Sequence, residues 1–95
     1  MIKVFIERRI AEGLELNYEN AIRNTLKAVL DAPGYLSSES LTDLRNKNHR
    51  IIITNWTSVQ AWDKWHHSDE RKGAIAEIAA ILEGDEKITV TEAKG

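Results

Sequence analysis

The 95 residues make a single domain spanning 1–95, too short for a catalytic unit with a separate cofactor module. Thirteen Lys and Arg against fifteen Asp and Glu leave a formal charge of −2, so no strong positive field draws in nucleic acid or an anionic membrane. Zero cysteines exclude a disulfide framework, a thiolate zinc site and a thiol nucleophile, and fit a reducing cytoplasm.

The opening MIKVFIERRI is too charged for a signal peptide or a membrane span. Ile2, Val4 and Ile6 alternate with mostly polar neighbours, so residues 3–9 are predicted as a strand buried mainly on one face. From Leu14 onward Tyr18, Ala21, Ile22, Thr25, Leu26 and Val29 recur at three- and four-residue steps. That is the stripe of an amphipathic helix, opened after Gly13 and stopped near Asp31 by Pro33 and Gly34. Residues 35–41 are predicted as a second strand, followed by a polar stretch over 45–48. Residues 49–56 carry Ile51, Ile52 and Ile53 in succession, the run expected of a central strand covered on both faces.

Thr57 with Gln60 forms a capping box and Ser58 is a second candidate cap, so a helix is predicted directly after the third strand. Val59, Trp62 and Trp65 line one side of it. Ser68 and Asp69 recap the chain before Ala74, Ile75, Ile78, Ala79 and Leu82 resume an apolar stripe, so the helix is expected to break near Ser68. Gly84 ends the stripe, and Ile88 and Val90 alternate with threonines in a last strand over 87–92.

The order βαββαβ is the split βαβ motif: an α+β, ferredoxin-like fold whose four-stranded antiparallel sheet carries its helices on one face. The other face stays open. Because the isoleucine run demands cover on both sides, a second copy of the chain is expected there, giving a homodimer.

The chemistry-bearing residues concentrate between Trp62 and Glu70. Trp62 and Trp65 share a helix face, whereas His66 and His67 lie about 100° apart and cannot both point inward. His66 with Glu70, and Asp63 with His67, are spaced for helical pairs; two ligands without a third or fourth do not make a metal site, so none is expected. The tryptophans read either as core or as the walls of a flat aromatic ligand's cavity. Arg8, continuing the Ile2, Val4 and Ile6 face, would place a cation at the rim of that cavity. No phosphate loop, Ser-His-Asp spacing or nucleophile elbow occurs.

Gly13 before the first helix, Pro33-Gly34-Tyr35 before the second strand, and the stretch from Ile51 through Trp56, Thr57 and Ser58 to Trp62, Trp65 and Ser68 together resemble the antibiotic biosynthesis monooxygenase (ABM) domain family. The resemblance spans nearly the whole chain. It implies a dimeric α+β barrel in which each subunit keeps a cavity between sheet and helices. Some members oxidise quinols or polyketide phenols with O2 and no cofactor, the deprotonated aromatic supplying the electrons. In many quinol-oxidising members a His stands at the position of Trp65 and another near Glu70; a Trp there is more like the haem-degrading branch and the phenol-oxidising polyketide enzymes. Haem degradation is not expected, since Ile75 stands where that branch has its axial His and Arg8 where it has an Asn.

The expected activity is a cofactor-independent monooxygenase acting on a small aromatic or quinol-like molecule. Trp65, His66 and Asn55 are its catalytic candidates, and Arg8, Asn17, Trp62 and Tyr35 its substrate-binding candidates. Two alternatives stand beside it: a small-ligand-binding module of the same fold, and a structural dimer. A deep cavity at Trp65 with a polar group opposite would favour the first two, and an interior filled by side chains the last.

Overall fold

The computed structural model describes residues 1–94. In chain order it contains β1 (Ile2–Arg9), α1 (Glu15–Val29), β2 (Tyr35–Asp43), β3 (Asn46–Trp56), α2 (Val59–His66), α3 (Asp69–Ala79) and β4 (Lys87–Glu92). The strands form one antiparallel sheet in the order β2-β3-β1-β4. This is the ferredoxin-like α+β arrangement, with β3 and β1 central.

Alternation along the central strands decides which face holds the core. Ile2, Val4, Ile6 and Arg8 of β1 stand opposite Trp56, Thr54, Ile52 and Arg50 of β3, and all eight are buried. They pack against Tyr18, Ala21 and Ile22 of α1, Trp62 and Trp65 of α2, and Ile78 of α3. The register sends Phe5, Ile51 and Ile53 to the opposite face, where they are only half-buried. The isoleucine run is thus divided: Ile52 belongs to the core, and its two neighbours to the face without helices.

The turn into β2 depends on Gly34. Its φ of +84° suits glycine, and an added Cβ would stand 2.5 Å from the Ala61 Cβ and 2.8 Å from the Thr57 Oγ1. The Gly34 carbonyl accepts from the Thr57 N–H at 2.9 Å, tying this turn to the start of α2. Ser58, rather than Thr57, caps that helix by accepting from the Ala61 N–H at 3.2 Å.

The hairpin between the second and third strands and the end of the last helix differ from the sequence reading, while the break at Ser68 agrees with it. β2 and β3 run through the polar stretch and turn at Leu44 and Arg45, because the Asp43 and Asn46 side chains accept from the backbone of Arg45 and Asn48 and close the hairpin locally. Such bonds leave no hydrophobic periodicity. The predicted break at Ser68 separates two helices, α2 and α3. α3 then ends at Ala79, five residues before Gly84, and Leu82 bridges Ile10 instead of extending the helix. No helix among the described residues is long and apolar enough to cross a membrane.

Candidate functional site

The chamber between sheet and helices is built from β1, β3, α1 and α2, and closed by α3. Trp62 and Trp65, one turn apart on α2, both point into it. Ser68 governs what comes next. Its hydroxyl donates to the Trp65 carbonyl at 2.7 Å and accepts from the Arg71 N–H at 3.1 Å. Restarting the helix there turns Arg71 inward, seven residues before the buried Ile78 and on the same stripe.

The charged groups that border the chamber are the cations Arg8 and Arg71, beside the neutral hydroxyls of Thr25 and Thr54. Arg8 is 2% exposed and Arg71 4%, and both bond the carboxylate of Glu86. Arg8 Nε donates to Oε2 at 3.0 Å and Arg71 Nη2 to Oε1 at 2.8 Å. Burial by itself would raise the Glu86 carboxyl, but the bond and charge of Arg71, followed by those of Arg8, outweigh it and hold the group below the ordinary value. Arg8 Nη1 also donates to the Tyr18 hydroxyl at 3.3 Å. Arg50 also lies over that ring, 5.6 Å from its centroid.

Aromatic rings continue from the chamber in an edge-and-face series. Tyr35 meets Trp56 at 5.5 Å between centroids, Trp56 meets Trp62 at 5.8 Å, and Trp62 stacks on His66 at 5.0 Å. The Trp56 indole N–H is satisfied by Thr54 Oγ1 at 2.9 Å. Burial, then the positive charge of Arg71 and of His67, lowers the His66 pKa from its ordinary value, leaving its imidazole neutral at pH 7.

The residues expected from sequence therefore divide. Arg8, Trp62 and Trp65 border one chamber, with His66 stacked behind Trp62. Tyr35 lies outside, in a groove of about 310 Å³ between α1 and β2 that also holds Arg23 and Lys27. Asn17 is on the exposed side of α1. Asn55 does not join the chamber: its odd position in β3 turns it to the face without helices, where Nδ2 donates to Ser37 Oγ at 3.1 Å. Arg71 and Glu86, central to the charge of the chamber, were not among the candidates. For Arg71 the spacing to Ile78 and the cap at Ser68 were the available signals; for Glu86 there was none.

The space inside is small. The void bordered by Trp62, Trp65, Arg8 and Arg71 holds about 20 Å³, room for one water. Trp65 also borders a larger outer cavity of about 230 Å³, with Ala32, Pro33, Ala61, Lys64 and Glu70. Trp65 thus borders both cavities.

Solved structures of similar fold cover nearly the whole chain. A crystal structure of an antibiotic biosynthesis monooxygenase superposes with a TM-score of 0.89 at 18% identity, over 100% of both chains. A conserved protein from Methanosarcina mazei Go1 gives 0.89 at 16% identity, over 98% of this chain and 92% of the other. SnoaB, a cofactor-independent oxygenase from Streptomyces nogalater, gives 0.85 at 16%, over 99% and 94%. At such identities these likenesses establish the fold. No curated protein matches the chain. The model of the family described as antibiotic biosynthesis monooxygenase matches residues 1–77, and with most of its length so matched the chain belongs to the ABM family.

Proposed function

We propose that this protein is a cofactor-independent monooxygenase for a small aromatic or quinol-like substrate, working as a homodimer. The observation that carries the reading is the pairing of two indoles, Trp62 and Trp65, with the buried cation Arg8 in one chamber, in a family that includes such oxygenases. Oxidation of a phenol or quinol by O2 starts from its electron-rich anion. A fixed guanidinium in a water-poor chamber stabilises that anion far better than solvent would, and does so without reorganising. Trp65 holds the ring, Arg8 faces the oxyanion, and neutral His66 is available to accept the released proton. When a ring methylene is oxidised, one oxygen atom ends as the product's carbonyl and the other leaves as water with the two displaced hydrogens.

The half-buried Phe5, Ile51 and Ile53 on the open face support the dimer, since they form a continuous apolar strip for a second copy to cover.

A specific observation favours the last of the alternatives, a structural dimer without oxygenase activity. The inner void of about 20 Å³ admits no substrate unless Trp65 or another wall moves. Oxygen uptake on a panel of quinols and anthrone-type phenols separates the two. Uptake by the wild type, reduced in Trp65→Phe and His66→Ala, is the expected result. No uptake on any substrate overturns the oxygenase, and unchanged uptake in both variants removes these residues from the mechanism.

A further inference from the structure

His49 is held between two carboxylates. Its odd position on β3 turns it to the face without helices, the face of Ile51 and Ile53. There Nδ1 lies 3.0 Å from Asp43 Oδ2 of β2, and Nε2 lies 3.3 Å from Glu7 Oε1 of β1. One ring thus ties the β2–β3 hairpin to a central strand. The other oxygen of Asp43 accepts from the Arg45 N–H at 2.8 Å, which fixes that carboxylate toward the ring.

An ionised carboxylate only accepts, and a neutral imidazole has one N–H. The neutral ring can serve Asp43 or Glu7 but not both; two acceptors take two donors, which only the imidazolium has. The hydrogen bond from His49, followed by that from the Arg45 N–H, holds the Asp43 carboxyl below its ordinary value, so it stays ionised wherever a histidine titrates. The neighbours do not supply the second donor. Arg9 stands opposite His49 in the register and Lys87 opposite Glu7, while Arg8, Glu83 and Asp85 border the same pocket as these residues. Among the described residues Arg8 pairs with Glu86, and neither Arg8, Arg9 nor Lys87 pairs with Glu7 or Asp43.

In the single chain the shortage matters little. The side chains of Glu7 and Asp43 are each 35% exposed, so solvent can serve the carboxylate that a neutral ring leaves over. The register places this clamp at the end of the apolar strip, with Glu7 opposite Ile51 and Phe5 opposite Ile53. A second copy laid over the strip displaces that solvent and strands one carboxylate unless the ring carries its second proton. We infer that this face binds a second copy of the chain in a proton-linked way, His49 of each protomer taking up one proton as the faces close, with Glu7 and Asp43 the acceptors that demand it. The inference rests on the homodimer proposed above and adds the group that sets its strength.

The test is the dimer dissociation constant by sedimentation at about pH 6 and about pH 8, with far-UV spectra as the control for folding. One linked proton changes an affinity by up to about tenfold per pH unit, so the wild type is expected to dimerise about tenfold or more tightly at the lower pH. The other histidines, His66 and His67, lie at the end of α2 and are left in place. His49→Gln, neutral throughout, should be weak at both values and lose the pH dependence. Glu7→Gln should do the opposite: its amide can donate to the bare ring nitrogen while the ring N–H serves Asp43, so the dimer should stay tight at about pH 8. A merely structural role for Glu7 would not tighten anything on its removal. Nitrogen-15 shifts of the ring should show both His49 nitrogens protonated in the dimer at about pH 6. A neutral ring there, a pH dependence that survives His49→Gln, or a Glu7→Gln dimer as weak as the wild type at about pH 8 would overturn the inference. A wild-type dimer equally tight at both values overturns it and leaves the homodimer standing; a monomer at both overturns the two together.

Discussion

The imidazole of His66 lies nearly flat against the indole of Trp62, with ring centroids 5.0 Å apart and planes inclined by 23°. Burial against that indole, then the charges of Arg71 and His67, lowers the His66 pKa. The unfolded chain binds the proton more tightly, so this group withdraws stability as pH falls below about 6.5, the ordinary histidine value. His66→Phe keeps the stack and removes the titration. Urea unfolding at about pH 7.5 and about pH 5.5 should show a smaller loss of stability in the variant than in the wild type; an equal loss counts against the assignment.

Glu86 acts at lower pH. Its carboxyl is held below the ordinary value by Arg71 and then Arg8, against the effect of burial. The stability this contributes is fully present above the ordinary Glu value of about 4.3 and is lost as pH falls through the lower folded-state value. Glu86→Gln should therefore cost about 2 kcal/mol at neutral pH and flatten the acid limb of the stability profile. An acid limb identical to that of the wild type would contradict this.

Gly34→Ala combines a left-handed backbone with a clash against Ala61 and Thr57. The expected cost is about 2 kcal/mol, or a fall in Tm of about 10 °C for a domain of this length. A melt within about 2 °C of the wild type would mean that the turn relaxes freely.

Ser68 joins two helices through one hydroxyl, donating to Trp65 and accepting from Arg71. Ser68→Ala should cost about 1 kcal/mol for the lost cap, with a further loss for the Trp65 bond. Ser68→Asp keeps the cap but cannot donate to a carbonyl, so it should recover only part. Denaturant midpoints of the three proteins order them; full recovery by Asp would show that the Trp65 bond contributes nothing.

The apolar strip of Phe5, Ile51 and Ile53 leads to the last prediction. Ile53→Asp places a charge at its centre, opposite Phe5 in the register, without touching the helix-facing core. Light scattering at micromolar concentration should give a dimeric mass for the wild type and a monomeric mass for the variant, with the far-UV spectrum unchanged. A wild-type monomer would refute the proposed dimer.

Local periodicity was enough to establish most of the architecture. Side chains at spacing 2 in β1 and β4, at spacing 3 to 4 in α1, and the serines before α2 and α3 each report on their own few residues, where sequence and backbone are directly coupled. The same logic placed Arg8 on the inner face, because it continues Ile2, Val4 and Ile6, and paired Trp62 with Trp65. It failed where the decision depends on segments far apart in the chain. Glu86 reaches Arg8 across 78 residues and Arg71 across 15, and only the packing of the loop before β4 against the end of β1 brings them together. Asn55 neighbours a core tryptophan in sequence, yet the β3 register turns it to the opposite face. Arg71 faces inward because the chain stops and restarts its helix at Ser68, which resets the phase of every residue after it. Motif and spacing thus determined the elements and the aromatic walls, while the charge inside the chamber was decided by tertiary structure, since a buried cation is matched through space and not along the chain.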